Sequence, residues 1–428
     1  MKKRMIFLLL LLLQLTACAS QTPDLTIASP APTLSPLPTE TTAPFAEAAA
    51  AGPEEALTER ERQVAAWQED YALLWAELEE SYPYLSYLES EGFDVPAIRE
   101  SFAAEIPTLR DEAAFIGLVR RLTAALGNFA HFDLVQPELY QTYYYAYVSE
   151  GVDAGPEKAA FAAVLQDARL NGRYQPPAEA GAYLQTRAGT YREAEIRYDA
   201  ELKALTIKIR SFAQETVERD RHLVRQAIEQ YPEAEHVIFD ITGNSGGSDW
   251  YWMQNIVAPF GGSYSFHYRN FYRSAQTSEA FYGHVPSVET ASLTDAPDWA
   301  LDLGLDCCFL TQAVLPEEGG DAPITDCTAR RWVLIDEHVY SASDKFAAFC
   351  KTSGWATLVG RPSRGDGLGT TPVLVLLPNT GLLVRFSATA GENPNGSMNA
   401  RTGTAPDYLC VKRETPQSLC EKLIRSHK

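Results

Sequence analysis

The chain has 428 residues, an apolar share of 46% that is ordinary for a globular protein, and a formal net charge of −20. That length holds one large domain or two. Nucleic-acid binding draws on clustered cations, so the charge argues against such a partner.

Lys2, Lys3 and Arg4 are followed by an apolar run from Ile6 to Leu13 and then by Leu15-Thr16-Ala17-Cys18. A positive start, an apolar stretch and small residues make a signal-peptide layout over residues 1–17. The run is shorter than the roughly 20 residues a bilayer span needs. Leu-Thr-Ala-Cys also resembles the bacterial lipoprotein box. That resemblance implies lipidation at Cys18 and an extracytoplasmic, membrane-anchored protein; an ordinary signal peptide with an incidental cysteine is the alternative. Acyl chains contribute about 0.8 kcal/mol per buried CH₂, and two or more of them anchor stably. Residues 18–53 carry Pro23, Pro30, Pro32, Pro36, Pro38 and Pro44 among Thr, Ser and Ala. Such a segment buries too little apolar surface to fold and is expected to be an extended tether.

Residues 54–133 read as a small helical subdomain. Phe115, Val119, Leu122 and Leu126 recur at helical spacing, and Pro83 and Gly92-Phe93-Asp94-Val95-Pro96 divide the run. In the connecting region 134–195, Tyr140–Val148 reads as a strand, and no role is legible. From 196 to 428 the rhythm is strand, helix, strand. Leu205–Arg210 alternates apolar and polar residues as a half-buried strand does. Val217, Leu223, Val224, Ala227, Ile228 and Tyr231 mark a helix stripe. Val237–Phe239, Val333–Ile335 and Leu358–Val359 are short apolar runs, as in strands buried on both faces. A helix from Ser343 to about Thr352 separates the last two, so the class is α/β with a parallel sheet. Val373–Leu377 and Leu382–Phe386, joined through Pro378-Asn379-Thr380-Gly381, predict an antiparallel hairpin. Residues 261–330 read as an insertion.

Beyond Cys18 the cysteines are Cys307, Cys308, Cys327, Cys350, Cys410 and Cys420. An even number in an exported chain permits disulfides. Cys410 with Cys420, and Cys327 with Cys307 or Cys308, would close short loops. A zinc site is the rival, but the chain has no Cys-x-x-Cys pair. Cys350 falls on the apolar side of a helix and reads as core.

Two serines compete as nucleophile. Ser245 lies in Gly243-Asn244-Ser245-Gly246-Gly247, which fits G-x-S-x-G after a strand. Ser341 lies in Tyr340-Ser341-Ala342-Ser343-Asp344, between a strand and a helix. A serine hydroxyl needs a base and donors for the developing oxyanion, and a helix N-terminus supplies free N–H groups. The alternative for Ser341 is an ordinary helix cap, because Ser-x-x-Asp is a capping pattern.

Five ordered segments resemble the tail-specific (C-terminal processing) and tricorn-type serine peptidases. Val237–Gly247 is similar to their "I-D-x-R-x-N-x-G-G" stretch, with Thr242 in place of arginine. Val333–Asp336 with Tyr340–Asp344 matches their "V-L-x-[DN]…S-A-S-E" region, and Ala356–Gly360 their "A-T-x-x-G" strand. Leu377–Gly381 with Ala405-Pro406-Asp407 matches "L-P-N-S-G" and the closing "P-D". Leu126–His131 resembles the "L-x-D-x-H" that ends their helical subdomain. No PDZ domain is matched between 134 and 195.

The resemblance implies a crotonase-like core (the ClpP-type peptidase fold) and hydrolysis of a peptide bond through Ser341, without metal or organic cofactor. It implies His131 as base, and backbone donors from Gly246 or Gly247 together with Ala342. It makes Ser245 a coincidental match. The family's lysine position reads Gly365-Asp366-Gly367, Ala130 stands where tricorn-type members keep a serine, and 397–406 holds no glutamate. Asp366 is therefore the candidate to orient His131. Two alternatives follow: a catalytically impaired peptide- or ligand-binding lipoprotein of the same fold, and an esterase acting through Ser245.

Overall fold

The computed structural model describes residues 57–149, 157–170, 172–177, 186–282, 293–316, 323–324 and 328–426. Cys18, the tether and Cys327 lie outside them. The chain divides into two units after Glu61. In the first, Thr58 N donates to Glu61 Oε2 (2.7 Å) and Glu61 N to Thr58 Oγ1 (3.2 Å). This reciprocal capping box starts a helix by satisfying its orphan donors.

In the second unit, helices Leu85–Ser90 and Val95–Glu105 are separated at Gly92, Pro96 sits in the first turn of the latter, and helix Glu112–Ala125 follows after the turn Ile106–Thr108. Asp94 and Asp111 cap Val95–Glu105 and Glu112–Ala125 by accepting from Ala97 N and Ala114 N. Phe115, Val119, Leu122 and Leu126 are fully buried. They pack in one core with Val373, Leu377, Leu383 and Phe386 of the downstream hairpin, so these helices share their interior with distant strands.

Twelve strands are present among the described residues. β1 (Asp133–Leu134), β9 (Val373–Leu377) and β10 (Leu382–Phe386) form an antiparallel sheet in the order β1-β10-β9. β2 (Glu195–Asp199), β3 (Ala204–Lys208), β4 (His236–Asp240), β7 (Arg330–Ile335), β8 (Thr357–Gly360) and β12 (Tyr408–Leu409) form a six-stranded sheet in the order β12-β8-β7-β4-β3-β2. Every pair in it is parallel except β2–β3. β5 (Tyr264–Tyr272) and β6 (Cys307–Leu315), both in the 261–330 segment, pair antiparallel, with β11 (Thr389–Gly391) on the other edge of β5.

Helices Val217–Gln230 and Ala342–Ser353 make the crossovers β3→β4 and β7→β8. Val237, Phe239, Val333, Ile335 and Leu358 face the core these helices cover. Trp332, Leu334 and Val359 face the terminal helix Pro416–Ser426 through Cys420 and Ile424. Burial on both faces explains the unbroken apolar runs.

Two expectations are corrected. Tyr140–Val148 is not a strand: helix Pro137–Tyr147 occupies it. Proline is favourable in a first helical turn, and Tyr140, Tyr143 and Tyr147 bury one helical face, with Tyr147 stacked on Phe161 at 4.0 Å. Packing here overrides the β-preference of aromatic residues. Cys410 and Cys420 are not bridged, and Cys307 and Cys308 are also free thiols. Cys420 is inside the sheet–helix layer, where burial pushes its thiol up to about 12, and it behaves as a small apolar residue.

Candidate active site

In open parallel sheets, the carboxyl ends of the strands form the natural site for chemistry. Three loops leave that edge from neighbouring strands: 241–247 after β4, 336–341 after β7 and 361–367 after β8. Asp336 Oδ1 accepts from Gly243 N at 3.0 Å and from His338 N at 3.1 Å, tying the first two loops together. Lys208 Nζ donates to Thr242 O and Thr242 Oγ1, both at 2.6 Å, and to Asp240 Oδ1 at 2.9 Å. A cation from β3 thus braces the loop in which Thr242 stands where the resembled family keeps an arginine.

Ser341 occupies the N-cap position of Ala342–Ser353 with φ 56° and ψ −128°, and its hydroxyl makes no capping bond. A capping serine has extended backbone and accepts from the first turn; Ser341 does neither. The Asp344 carboxylate is likewise not spent on a capping box. It accepts from Gly367 N (3.1 Å), Asn399 Nδ2 (2.9 Å), Thr404 N (3.2 Å) and the Ser363 hydroxyl. Burial raises the pKa of Asp344 while these donors pull the other way. Asp344 thereby fastens the Gly365–Gly367 turn to the helix that begins at Ser341. Asp344→Ala is expected to destabilise the protein by about 2–4 kcal/mol in urea unfolding, because a fully buried cluster of donors loses its acceptor.

The Gly246 and Gly247 backbones have φ of 102° and 138°, a region that favours glycine. A Cβ on Gly246 would come within 2.7 Å of Tyr340 O and 2.9 Å of Ser341 Cβ, so this backbone lies directly against the serine turn. A Cβ on Gly247 would strike the Phe212 carbonyl. Asn244 Oδ1 accepts from Gly246 N at 2.9 Å. Of the two expected glycine donors, Gly246 N–H is therefore taken. Among the described residues, the N–H groups of Gly247 and Ala342 have no hydrogen-bond partner. Gly247→Ala combines a left-handed backbone with a steric clash. It is expected to cost about 2–4 kcal/mol in thermal unfolding and to disorder this donor.

His131 reaches the edge from the turn between Glu112–Ala125 and β1. Asn128, Ala130 and His131 all have positive φ (46°, 47° and 56°). Three bonds hold this backbone: Tyr82 Oη donates to Phe129 O (2.9 Å), Ser387 N to Ala130 O (2.8 Å), and His131 N to Tyr340 Oη (3.0 Å). The His131 side chain is 9% exposed and that of Asp366 2%, and Nδ1 lies 2.5 Å from Asp366 Oδ2. An ionised carboxylate only accepts, so Nδ1 carries the proton and Nε2 is the free lone pair. Tyr340 Oη and Ser387 Oγ also donate to Asp366 Oδ2, at 2.9 and 3.0 Å. The Tyr340 ring lies against the imidazole, with centroids 4.7 Å apart. Burial, followed by the Asp366 carboxylate, raises the Tyr340 pKa well above its ordinary value, so the phenol keeps its proton.

His131, Ser341 and Asp366 are thus three of the seven non-glycine residues with positive φ among the described residues. Strained backbone of this kind persists where surrounding structure over-determines it. Ser341 N donates to Gly365 O at 3.1 Å, so the serine turn and the Asp366 turn are joined directly. Among the described residues no hydrogen bond joins His131 Nε2 to Ser341 Oγ. Lys345, one helical turn after Ser341, is no rival base. It donates to Asp249 Oδ2 at 2.7 Å; burial pulls its pKa down, but Asp249 and Tyr268 together more than offset this and keep the amine protonated. Ser245 is exposed, and no histidine hydrogen-bonds to it among the described residues.

Sequence reasoning missed Tyr340, Ser387 and Asn244 as parts of this cluster. In the sequence Tyr340 stands out only as a neighbour of Ser341, and Ser387 follows β10 without any local signal.

The model of peptidase family S41 matches residues 203–410. No curated protein matches the chain. Among solved structures it is similar to a lipoprotein from Streptococcus agalactiae, at 11% identity over 85% of this chain and 97% of that one, with a TM-score of 0.47. It is also similar to mature CPAF, at 12% over 85% and 95%, TM-score 0.47. A third likeness is to the photosystem II D1 C-terminal processing protease, at 12% over 86% and 97%, TM-score 0.40.

Proposed function

Because the chain belongs to peptidase family S41, we propose that it hydrolyses peptide bonds of extracytoplasmic proteins or peptides by acyl transfer through Ser341. The observation that carries this reading is the shared left-handed strain of Ser341, His131 and Asp366, with Asp366 bonded to His131 Nδ1. Ser341 Oγ attacks the scissile carbonyl carbon while His131 Nε2 takes its proton. The N–H groups of Gly247 and Ala342 hold the oxyanion. His131 then returns the proton to the leaving amine, and water cleaves the acyl-serine by the same steps. The contact between Nε2 and Ser341 forms with substrate, as catalytic hydrogen bonds often tighten only in the complex.

Incubation with denatured casein tests this: new amino termini should appear, and a fluorophosphonate should block their formation. The unformed Nε2–Ser341 bond favours a second reading, a non-catalytic peptide-binding protein. Intact casein after prolonged incubation, with casein retained on the protein, would establish that reading instead.

The lipid anchor at Cys18 belongs to the same proposal, since a signal-like start and a proline-rich sequence precede the described residues. No helix among the described residues is long and apolar enough to cross a membrane. Cys18→Ala is therefore expected to move the protein from the membrane fraction to the soluble one. Retention of that variant on membranes would contradict the anchor.

A further inference from the structure

Asp366 Oδ2 receives three donors, His131 Nδ1, Tyr340 Oη and Ser387 Oγ, at 2.5, 2.9 and 3.0 Å. The two hydroxyls come from separate parts of the fold. Tyr340 ends the β7 loop, 209 residues from His131, and Ser387 follows β10, 256 residues from it. Each also fixes the backbone that carries the imidazole: Tyr340 Oη accepts from His131 N, and Ser387 N donates to Ala130 O at 2.8 Å. Both hydroxyls lie near Nδ1 as well, at 3.2 and 3.1 Å, but its single proton goes to the shortest contact, the carboxylate.

We infer that Tyr340 and Ser387 are positioning residues forming a two-hydroxyl clamp, which holds Asp366 Oδ2 on His131 Nδ1 and so fixes the ring and its tautomer. This rests on the acyl-transfer reading for its effect on rate, though not for its geometry. A carboxylate on a turn can rotate away from a ring. With both hydroxyls aimed at one oxygen, rotation breaks three bonds at once, so the aligned state dominates. Tyr340 adds a mechanical link, because the residue beside Ser341 is bonded to the backbone of the base. The clamp does work that a lone carboxylate would leave undone, and neither hydroxyl needs to touch substrate.

The experiment uses the mature full-length chain with two readouts: the fluorophosphonate labelling rate, and the NMR resonance of the His131 Nδ1 proton in ¹⁵N-histidine protein, assigned with His131→Ala. Tyr340→Phe and Ser387→Ala should each slow labelling by about ten- to a hundredfold, as for loss of a hydrogen bond to a charged group. Each should also broaden or shift the Nδ1 proton signal. In an Asp366→Asn background neither should slow labelling by more than about twofold, since both act through Asp366. A merely structural role would lower the melting temperature yet leave the resonance in place and the losses undiminished in that background. Wild-type labelling with an unchanged resonance in both variants would overturn the clamp. If the wild-type chain does not label at all, the acyl-transfer reading falls, and the resonance alone upholds or overturns the clamp. Should Tyr340→Phe fail to fold, Ser387→Ala decides.

Discussion

Ser341→Ala is expected to abolish fluorophosphonate labelling and casein hydrolysis, with a loss on the order of 10⁴- to 10⁶-fold. The fold should survive. The Ser341 hydroxyl caps nothing, so its removal orphans no partner. The unusual backbone at φ 56° is set by the Gly365 carbonyl and by the helix behind it, and alanine occupies it at similar strain. Thermal unfolding should shift by no more than corresponds to about 0.5 kcal/mol, the range of a substitution that disturbs neither packing nor a cap. Activity retained in the folded variant would move the nucleophile elsewhere, and Ser245→Ala would then be the variant to test.

His131→Ala should lower the labelling rate by about 10²- to 10⁴-fold, the usual contribution of a general base. Adding Asp366→Asn should cost little beyond that. Asp366 has its Oδ2 on His131 Nδ1 at 2.5 Å, so any part it takes in proton transfer runs through the ring. Groups acting as one unit give strongly non-additive losses. Multiplying losses would instead assign Asp366 an independent part, such as shaping the Gly365–Gly367 turn. Because Asp366 also binds Tyr340 and Ser387, rates should be compared on variants whose melting curves show a folded chain.

The central strands of the sheet were legible in the sequence because they are buried on both faces, as Val237–Phe239 and Val333–Ile335 are, whereas the largely exposed edge strands β2 and β12 carry no such apolar run. The hairpin of β9 and β10 announced itself through Pro378–Gly381 between two apolar runs. Tyr140–Val148 was misread because a tyrosine-rich run carries β-preference, whereas the face it buries has helical spacing. The Cys410–Cys420 bridge failed for another reason. Sequence spacing allows loop closure, but Cys420 points into the layer between the sheet and the terminal helix.

In the site, Ser341 and the glycine loop were legible as motifs. The pairing of Asp366 with His131 could be inferred only from residues missing elsewhere in the chain. Which glycine N–H is left free was hidden, since it depends on Asn244 Oδ1 occupying Gly246 N. The hydroxyls on Asp366 were hidden too, because Ser387 is brought to His131 by the pairing of β1 with β10 and by no pattern along the chain.

The most direct measurement is peptide mapping by mass spectrometry of the protein after reaction with a fluorophosphonate. A phosphonyl adduct is expected on Ser341 in the wild-type protein, and its near-absence at the same exposure in His131→Ala. An adduct on Ser245, or none on any serine of the folded chain, would contradict the assignment of Ser341 as nucleophile.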